Sequence, residues 1–337
     1  MNKTTKVLVT GGAGFIGSHV AKHLINMRKK VIVLDDLSGG FKDNVPRGAE
    51  FIKGSILNVK LLEKIFKENK ITHIYHLAAY AAEGLSHFIK RFNYINNLIG
   101  SINLINLAVN YRIKCFIFTS SAAVYGPGQL PFTEETKPEP EDSYGIAKYA
   151  VEQELESSHK MFGLNYIIFR PHNVYGEHQN IGDRYRNVVG IFMNRIMKGK
   201  PMTIFGDGKQ TRAFTYIDDV APAIAHSGFM KECYNQIFNL GSDQPYSVDA
   251  LAKIVAQQMQ VKPQVQYVEA RNEVKYAYSK HNKSKKYFRK YIKNIPLKEG
   301  VAKMAKWAKG WGDRESKKFK KIEIFKNMPP LWAKDFK

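Results

Sequence analysis

Cysteine is almost absent from this chain: its 337 residues include two, Cys115 and Cys233. Neither has a neighbour at metal-ligand spacing, so no metal site is expected, and a reducing, cytoplasmic setting fits. Cys115 opens an apolar run and reads as a small buried hydrophobe. No apolar run reaches the ~18 residues that a spanning helix needs, so no membrane span is expected. The N-terminus passes from "MNKTT" straight into "KVLVTGG", with no apolar core and cleavage site, and a secretory peptide is not expected. No internal repeat is visible. Acid is scarce beside base, with 30 Asp and Glu against 52 Lys and Arg and a net charge of +22. Residues 262–337 carry 22 of the bases and only 7 of the acids. No aromatic-interleaved binding motif accompanies this excess, so it reads as a solvated lysine-rich surface and a nucleic-acid partner is not expected. A positive field also attracts doubly anionic substrates.

Hydrophobic residues make up 44% of the chain, ample for a core. "TKVLVT", a glycine turn, "SHVAKHLINMRKK" and "VIVLDD" give strand, turn, helix and strand, the βαβ unit of a parallel sheet. "FIKG", "THIYHLAA", "CFIFTSS" and "NYIIFRP" continue the strands. "NVKLLEKIFKENK" is helical, as are Ile95, Ile99, Ile102, Ile105 and Val109 by their spacing. Another helix runs from an N-cap at Asp142 or Ser143 to about Phe162, with Gly163 as its stop. "GEHQNIGDRYRN" reads as a polar loop, "FTYIDDVAPAIAHSGF" as a helix and "QIFNLG" as a last strand. The expected fold is α/β: a Rossmann-type doubly wound parallel sheet with a smaller C-terminal substrate-binding lobe. Residues 1–175 form the first domain, to which 213–242 return, and 176–337 are mainly the lobe and a basic tail.

Gly11, Gly14 and Gly17 fall directly between the first strand and helix. Glycine permits a tight turn there and lets backbone approach a pyrophosphate at a helix N-terminus. Asp35 ends the second strand, 18 residues past Gly17. A carboxylate there accepts hydrogen bonds from ribose hydroxyls and repels a 2′-phosphate, which favours NAD over NADP. Asp36 is an alternative to Asp35.

Tyr144 and Lys148 stand four apart on a helix, hence on one face. An isolated tyrosine titrates near ~10, and a nearby lysine cation favours the phenolate, which makes Tyr144 a candidate base. A pair at this spacing is common by chance. Its context is what singles it out: "TGGAGFIG", "HLAA" at 76–79, "SSAAVYG" at 120–126, "YGIAK" at 144–148 and "RPHNVYG" at 170–176 occur in this order.

Together these motifs resemble the extended short-chain dehydrogenase/reductase family, the nucleotide-sugar epimerases and dehydratases. The resemblance covers about residues 6–300, and "TIFGDGKQTRAFTYIDDVA" at 203–221 looks like the family's diphosphate-binding segment. It implies that Tyr144 takes a proton from a sugar hydroxyl, that Lys148 holds the nicotinamide ribose and lowers the Tyr144 pKa, and that Ser121 bonds the same sugar oxygen. It implies that Gly11, Gly14, Phe15, Ile16 and Gly17 wrap the pyrophosphate, that Asp35 binds the adenosine ribose, and that Ala78, Ala79 and Asn97 line the cofactor. Asn173, Asn187, Arg212 and Arg271 would hold the nucleotide diphosphate; guanidinium grips phosphate oxygens in a fork. A homodimer through helices at about 93–110 and 144–162 is implied in the same way. The chain departs from the pattern at Ser55, a neutral residue where many relatives have an acid near adenine. Glu83 and Ser86 lie in a loop placed to overlie the sugar, and His172 stands where an aromatic is more usual.

Ala122 and Ala123 bear on the reaction. In the related 4,6-dehydratases an acid or acid pair follows the active-site threonine or serine, the decarboxylases carry a glutamate in this segment, and the 3,5-epimerases a cysteine. Alanine can neither donate nor accept a proton. The fate that needs no further acid or base is 4-epimerisation, so the expectation is a nucleotide-sugar 4-epimerase, on a UDP-hexose or UDP-hexuronate. A 4-dehydrogenase or GDP-sugar epimerase of the same family remains open, as does a non-catalytic nucleotide- or RNA-binding protein.

Overall fold

A computed structural model describes residues 5–128, 130–270, 276–315, 319 and 322–333. Six parallel strands are read directly from the apolar runs: β1 (Thr5–Thr10), β2 (Val31–Asp35), β3 (Glu50–Lys53), β4 (Lys70–His76), β5 (Cys115–Thr119) and β6 (Tyr166–Pro171). A seventh, Gln236–Leu240, pairs in parallel with β6. The order across the sheet is Gln236–Leu240, β6, β5, β4, β1, β2, β3. Every residue of β2 and β5 is buried, as continuous apolar runs in a sheet covered on both faces must be.

Helices cover the two faces. Helix α1 (Phe15–Asn26) follows the glycine turn. Helix α2 (Val59–Glu68) is capped by Asn58, whose side chain accepts from the Leu61 N–H at 3.0 Å. The isoleucine-spaced stretch is helical, as its period requires, with a π-helical turn at Ile95–Ile99 between Lys90–Tyr94 and Gly100–Asn110. Helix Ser143–Phe162 is capped by Asp142, which accepts from the N–H groups of Tyr144 and Gly145, both at 2.9 Å. It stops at Gly163 in the left-handed region, φ +71°.

The stretch "FTYIDDVAPAIAHSGF", read from sequence as one helix, is divided. Thr215–Tyr216 is a strand paired with Val174–Tyr175, and the helix occupies only Ala221–Ser227. Tertiary bonding overrides the local pattern: the Asp219 carboxylate between them accepts from the N–H groups of Lys293, Asn294 and Ile295 at 2.6–2.9 Å. Pro222 sits in the first helical turn, where its missing N–H costs nothing.

The smaller lobe pairs Met202–Phe205 with Val265–Val268 and Thr211–Ala213 with Pro245–Ser247. Helices Val188–Met197, Val248–Met259 and Leu297–Trp311 pack around these strands. Among the described residues no helix is long and apolar enough to cross a membrane, and no cluster of His, Cys, Asp or Glu could hold a metal. The carboxyl ends of β1, β2, β4 and β5 open on one cleft beside the lobe, the side on which open parallel sheets bind ligands.

Candidate active site

The cleft is a cavity of about 1100 Å3. At one end lies the glycine turn. Gly11 has φ +71°, and a Cβ there would stand 2.6 Å from the Ala78 nitrogen. A Cβ on Gly17 would overlap the Gly11 carbonyl oxygen. Only glycine lets this turn close and lets helix α1 begin so near the sheet. Gly11, Gly14, Phe15, Ile16, Gly17, Ala78 and Ala79 all line the cavity.

Asp35 ends β2 against this turn. Its two carboxylate oxygens accept from the N–H groups of Ala13 (3.0 Å) and Leu37 (2.8 Å), which fixes the group at the cavity edge. Burial pushes its pKa up, while the bonds from Leu37 and Ala13 oppose that. Asp36 is exposed, accepts from the Ser38 N–H at 2.8 Å and also borders the cavity. Ser55 lines the same end.

The cavity continues to Ser121, Tyr144 and Lys148. Ser121 caps a short 3-10 turn, Ala122–Tyr125, by accepting from the Ala123 N–H at 3.1 Å. Burial pushes the Tyr144 phenol pKa well up. The neighbouring Ser121 hydroxyl opposes this, Glu83 and Asp142 add to it, and Arg186 pulls the other way. Lys148 is buried and donates to the Thr119 carbonyl at 2.8 Å. Its Nζ lies 5.7 Å from the Tyr144 ring centroid. Burial lowers its pKa to about 7, with Glu152 opposing. Such a triad can move a proton from a hydroxyl placed against Ser121 and Tyr144, provided that positive charge close by stabilises the phenolate.

The donor set fits a dinucleotide at the glycine end. Beyond the glycine cradle and Asp35, the hydroxyls Thr119 Oγ1 and Ser120 Oγ line the cavity, and both are buried with no partner among the described residues. Buried polar atoms without partners at a cavity wall point to a ligand that would satisfy them.

Other expected residues divide. Glu83, Asn173, Asn187 and Arg212 line the cavity. Asn187 also caps helix Val188–Met197 and bonds the Val174 carbonyl, so part of its polar capacity is structural. Asn173 sits in the left-handed region at φ +39° and donates to the Ala213 carbonyl at 3.2 Å. Three expected contacts lie behind the wall. Ser86 bonds the Glu83 carbonyl (2.7 Å) and Asp142 (3.2 Å) and accepts from the Tyr144 N–H. Its hydroxyl therefore steadies the start of the Tyr144 helix instead of facing the cavity. Asn97 bonds both backbone groups of Tyr80 and shapes the loop after β4 from below. His172 is buried outside the lining, and burial, His281 and Arg212 lower its pKa to about 3. Arg271 lies outside the described residues.

Arg186, Tyr80, Tyr185 and Phe205, to which the sequence alone assigns no role, are all in the lining. Arg186 pairs with Asp183 at 3.0 Å, and its guanidinium lies 4.7 Å from the Tyr80 ring centroid. The two arginines of "GDRYRN" were the available signal, inside a stretch read only as a polar loop.

Comparison with known proteins places the chain in a family. A sequence profile of the NAD dependent epimerase/dehydratase family matches residues 7–241. A protein of Methanocaldococcus jannaschii described as a putative UDP-glucose 4-epimerase is 36% identical over 307 residues, which covers 90% of this chain and 98% of that one. The UDP-glucose 4-epimerase of Thermotoga maritima, solved with UDP-glucose, is 33% identical with a TM-score of 0.84, over 90% of this chain and 98% of that one. The Thermus thermophilus UDP-glucose 4-epimerase, solved with NAD, is 30% identical with a TM-score of 0.83 over the same shares.

Proposed function

The chain belongs to the NAD-dependent epimerase/dehydratase family, and we propose that it is a nucleotide-sugar 4-epimerase that keeps NAD as a resident cofactor and acts on a UDP-hexose or UDP-hexuronate. One observation carries this reading: Ser121, Tyr144 and Lys148 share a single cavity with the glycine turn and Asp35, and no acid follows Ser121. Bound NAD supplies a reversible hydride acceptor at the sugar C4. The chain's own residues do the rest. Gly11, Gly14 and Gly17 admit the pyrophosphate, with Phe15 and Ile16 beside it, and Asp35 selects an unphosphorylated ribose. Tyr144 takes the C4 hydroxyl proton while Ser121 holds that oxygen, and Tyr144 returns the proton when the sugar presents its other face. Lys148, charged when anionic groups fill the cavity, stabilises the phenolate. Arg212, Asn173 and Asn187 border the space for the diphosphate, and Arg186 adds a second guanidinium there.

A second reading has one observation in its favour. Glu83 and Glu141 line the same cavity, so a carboxyl group for 4,6-elimination exists within it although positions 122 and 123 are alanine. Product analysis separates the two. UDP-glucose, UDP-N-acetylglucosamine, UDP-glucuronate and GDP-sugars are each mixed with the protein and the C4 configuration is followed by NMR; a 4-keto-6-deoxy product would establish elimination instead.

A homodimer is part of the proposal. Ile95 and Ile99 on one helix, and Ile146, Met161 and Phe162 on the other, are 37–74% exposed on the two helices expected to pair. Exposed apolar side chains gathered in this way suit a self-complementary interface.

A further inference from the structure

The cavity lies between the sheet and the smaller lobe, so its width depends on whatever bridges the two. Residues 322–333 do so. Trp332, in the short helix Pro330–Ala333, is only 3% exposed. Its ring meets Phe88, from the segment after β4, at 6.3 Å, and Tyr185 and Phe205 of the lobe at 5.2 and 6.2 Å. Tyr185 and Phe205 are themselves cavity lining. Phe319 extends the contact to the opposite wall, 5.4 Å from Tyr80 and 4.8 Å from Phe92, both lining residues.

Polar bonds anchor the segment to the sheet side. The Glu323 carboxylate accepts from the N–H groups of Arg91 (2.8 Å) and Phe92 (2.9 Å). The N–H groups of Glu323 and Ile324 donate to the Phe88 carbonyl at 2.9 and 3.2 Å. Where the chain leaves helix Leu297–Trp311, the Arg314 guanidinium lies 5.3 Å from the Phe41 ring and 4.4 Å from Trp311. Phe41 adjoins Gly39 and Gly40, which line the glycine end of the cavity.

We propose that residues 322–333 clasp the substrate cleft, with Trp332 as the pin and as a positioning residue for the nucleotide sugar. For the identity of the ligand this rests on the proposed function; for the clasp itself it does not. None of the clasp residues lines the cavity among the described residues, so the clasp acts through Tyr185 and Phe205, which Trp332 touches, while Phe319 just before it holds Tyr80. Contacts that hold the nucleotide equally in the ground and transition states raise KM and leave kcat unchanged when they are loosened.

The test uses the full-length, NAD-loaded protein with Trp332→Ala, Trp332→Phe and Glu323→Gln. In Trp332→Ala, amide hydrogen exchange should quicken in both 82–92 and 183–205, with the sheet unchanged. The calorimetric Kd for UDP and the KM for the nucleotide sugar should each rise about tenfold, with kcat within about threefold. Trp332→Phe should recover most of the loss, since a ring still fills the seam. Glu323→Gln should give the same pattern at smaller amplitude, and it decides the matter if Trp332→Ala does not fold. Faster exchange confined to the C-terminal segment, with KM and Kd unchanged, overturns the clasp. If the wild-type chain turns over no sugar the proposed function fails, and the exchange data still decide the clasp.

Discussion

Arg170 grips Glu152 with two hydrogen bonds, Nε to Oε1 at 3.1 Å and Nη2 to Oε2 at 2.6 Å, and neither side chain is more than 2% exposed. Glu152 stands four residues after Lys148 on the same helix, and its charge is what opposes the desolvation of that lysine. Arg170 also donates to the Tyr125 hydroxyl, which donates to Asn239 Oδ1. The floor beneath the proposed proton-transfer site is thus a buried, bonded network. Breaking one partner of such a pair leaves an uncompensated charge, at a cost of about 3–5 kcal/mol. Arg170→Met should therefore lower Tm by roughly four to seven degrees in thermal unfolding. A change of only a degree or two would show that the pair is dispensable.

Tyr144→Phe removes the proposed base and keeps the ring. Turnover should fall by about 10²–10⁴, while NAD content and UDP affinity stay near wild type. Near-normal kcat would remove Tyr144 from the chemistry.

Lys148 gives a prediction with a definite sign. Its folded pKa, near 7, lies below its unfolded value, so the unfolded chain binds the extra proton between those two points and stability contributed by this group rises with pH there. At pH 6 the folded state must bury the charge. In cofactor-free protein, Lys148→Met should accordingly raise Tm at pH 6, and the gain should shrink as pH climbs above 7. The same variant should lose most activity. A Tm difference that grows with pH would contradict the assignment.

Asp35→Asn removes the charge and keeps one of the two backbone bonds, because the Ala13 and Leu37 N–H groups use different carboxylate oxygens and an amide offers only one acceptor. Discrimination against NADP should weaken by about tenfold, read from the ratio of Kd values for the two dinucleotides. An unchanged ratio would shift that role to Asp36.

Ile99 is half exposed on a helix of the proposed dimer face. Ile99→Glu should convert the protein to a monomer in light scattering, with its circular dichroism unchanged. A monomeric wild type would dispose of the interface.

What was legible in the sequence was what depends on neighbours in the chain. The glycine turn, Asp35 at a strand end, the Asp142 cap and the one-face pairing of Tyr144 with Lys148 are all fixed by spacing. Side-chain direction across the fold is not. Ser86 and Asn97 are near the site in sequence pattern, yet their bonds to Asp142 and Tyr80 turn them away from the cavity. The helix expected over 214–229 was shortened because Asp219 is bonded to a segment more than seventy residues later. Trp332 in the basic tail suggests by its size a residue that packs on the body or on a partner chain, but that it meets Phe88, Tyr185 and Phe205 depends on the fold alone.

The central claim is tested most directly by proton NMR of nucleotide sugars incubated with the protein in D2O. Inversion at C4 with the C4 hydrogen retained and no deuterium gained is the predicted result, because that hydrogen leaves and returns without meeting solvent. Deuterium at C3 or C5, a 4-keto-6-deoxy product, or no conversion of any sugar in the panel would contradict it.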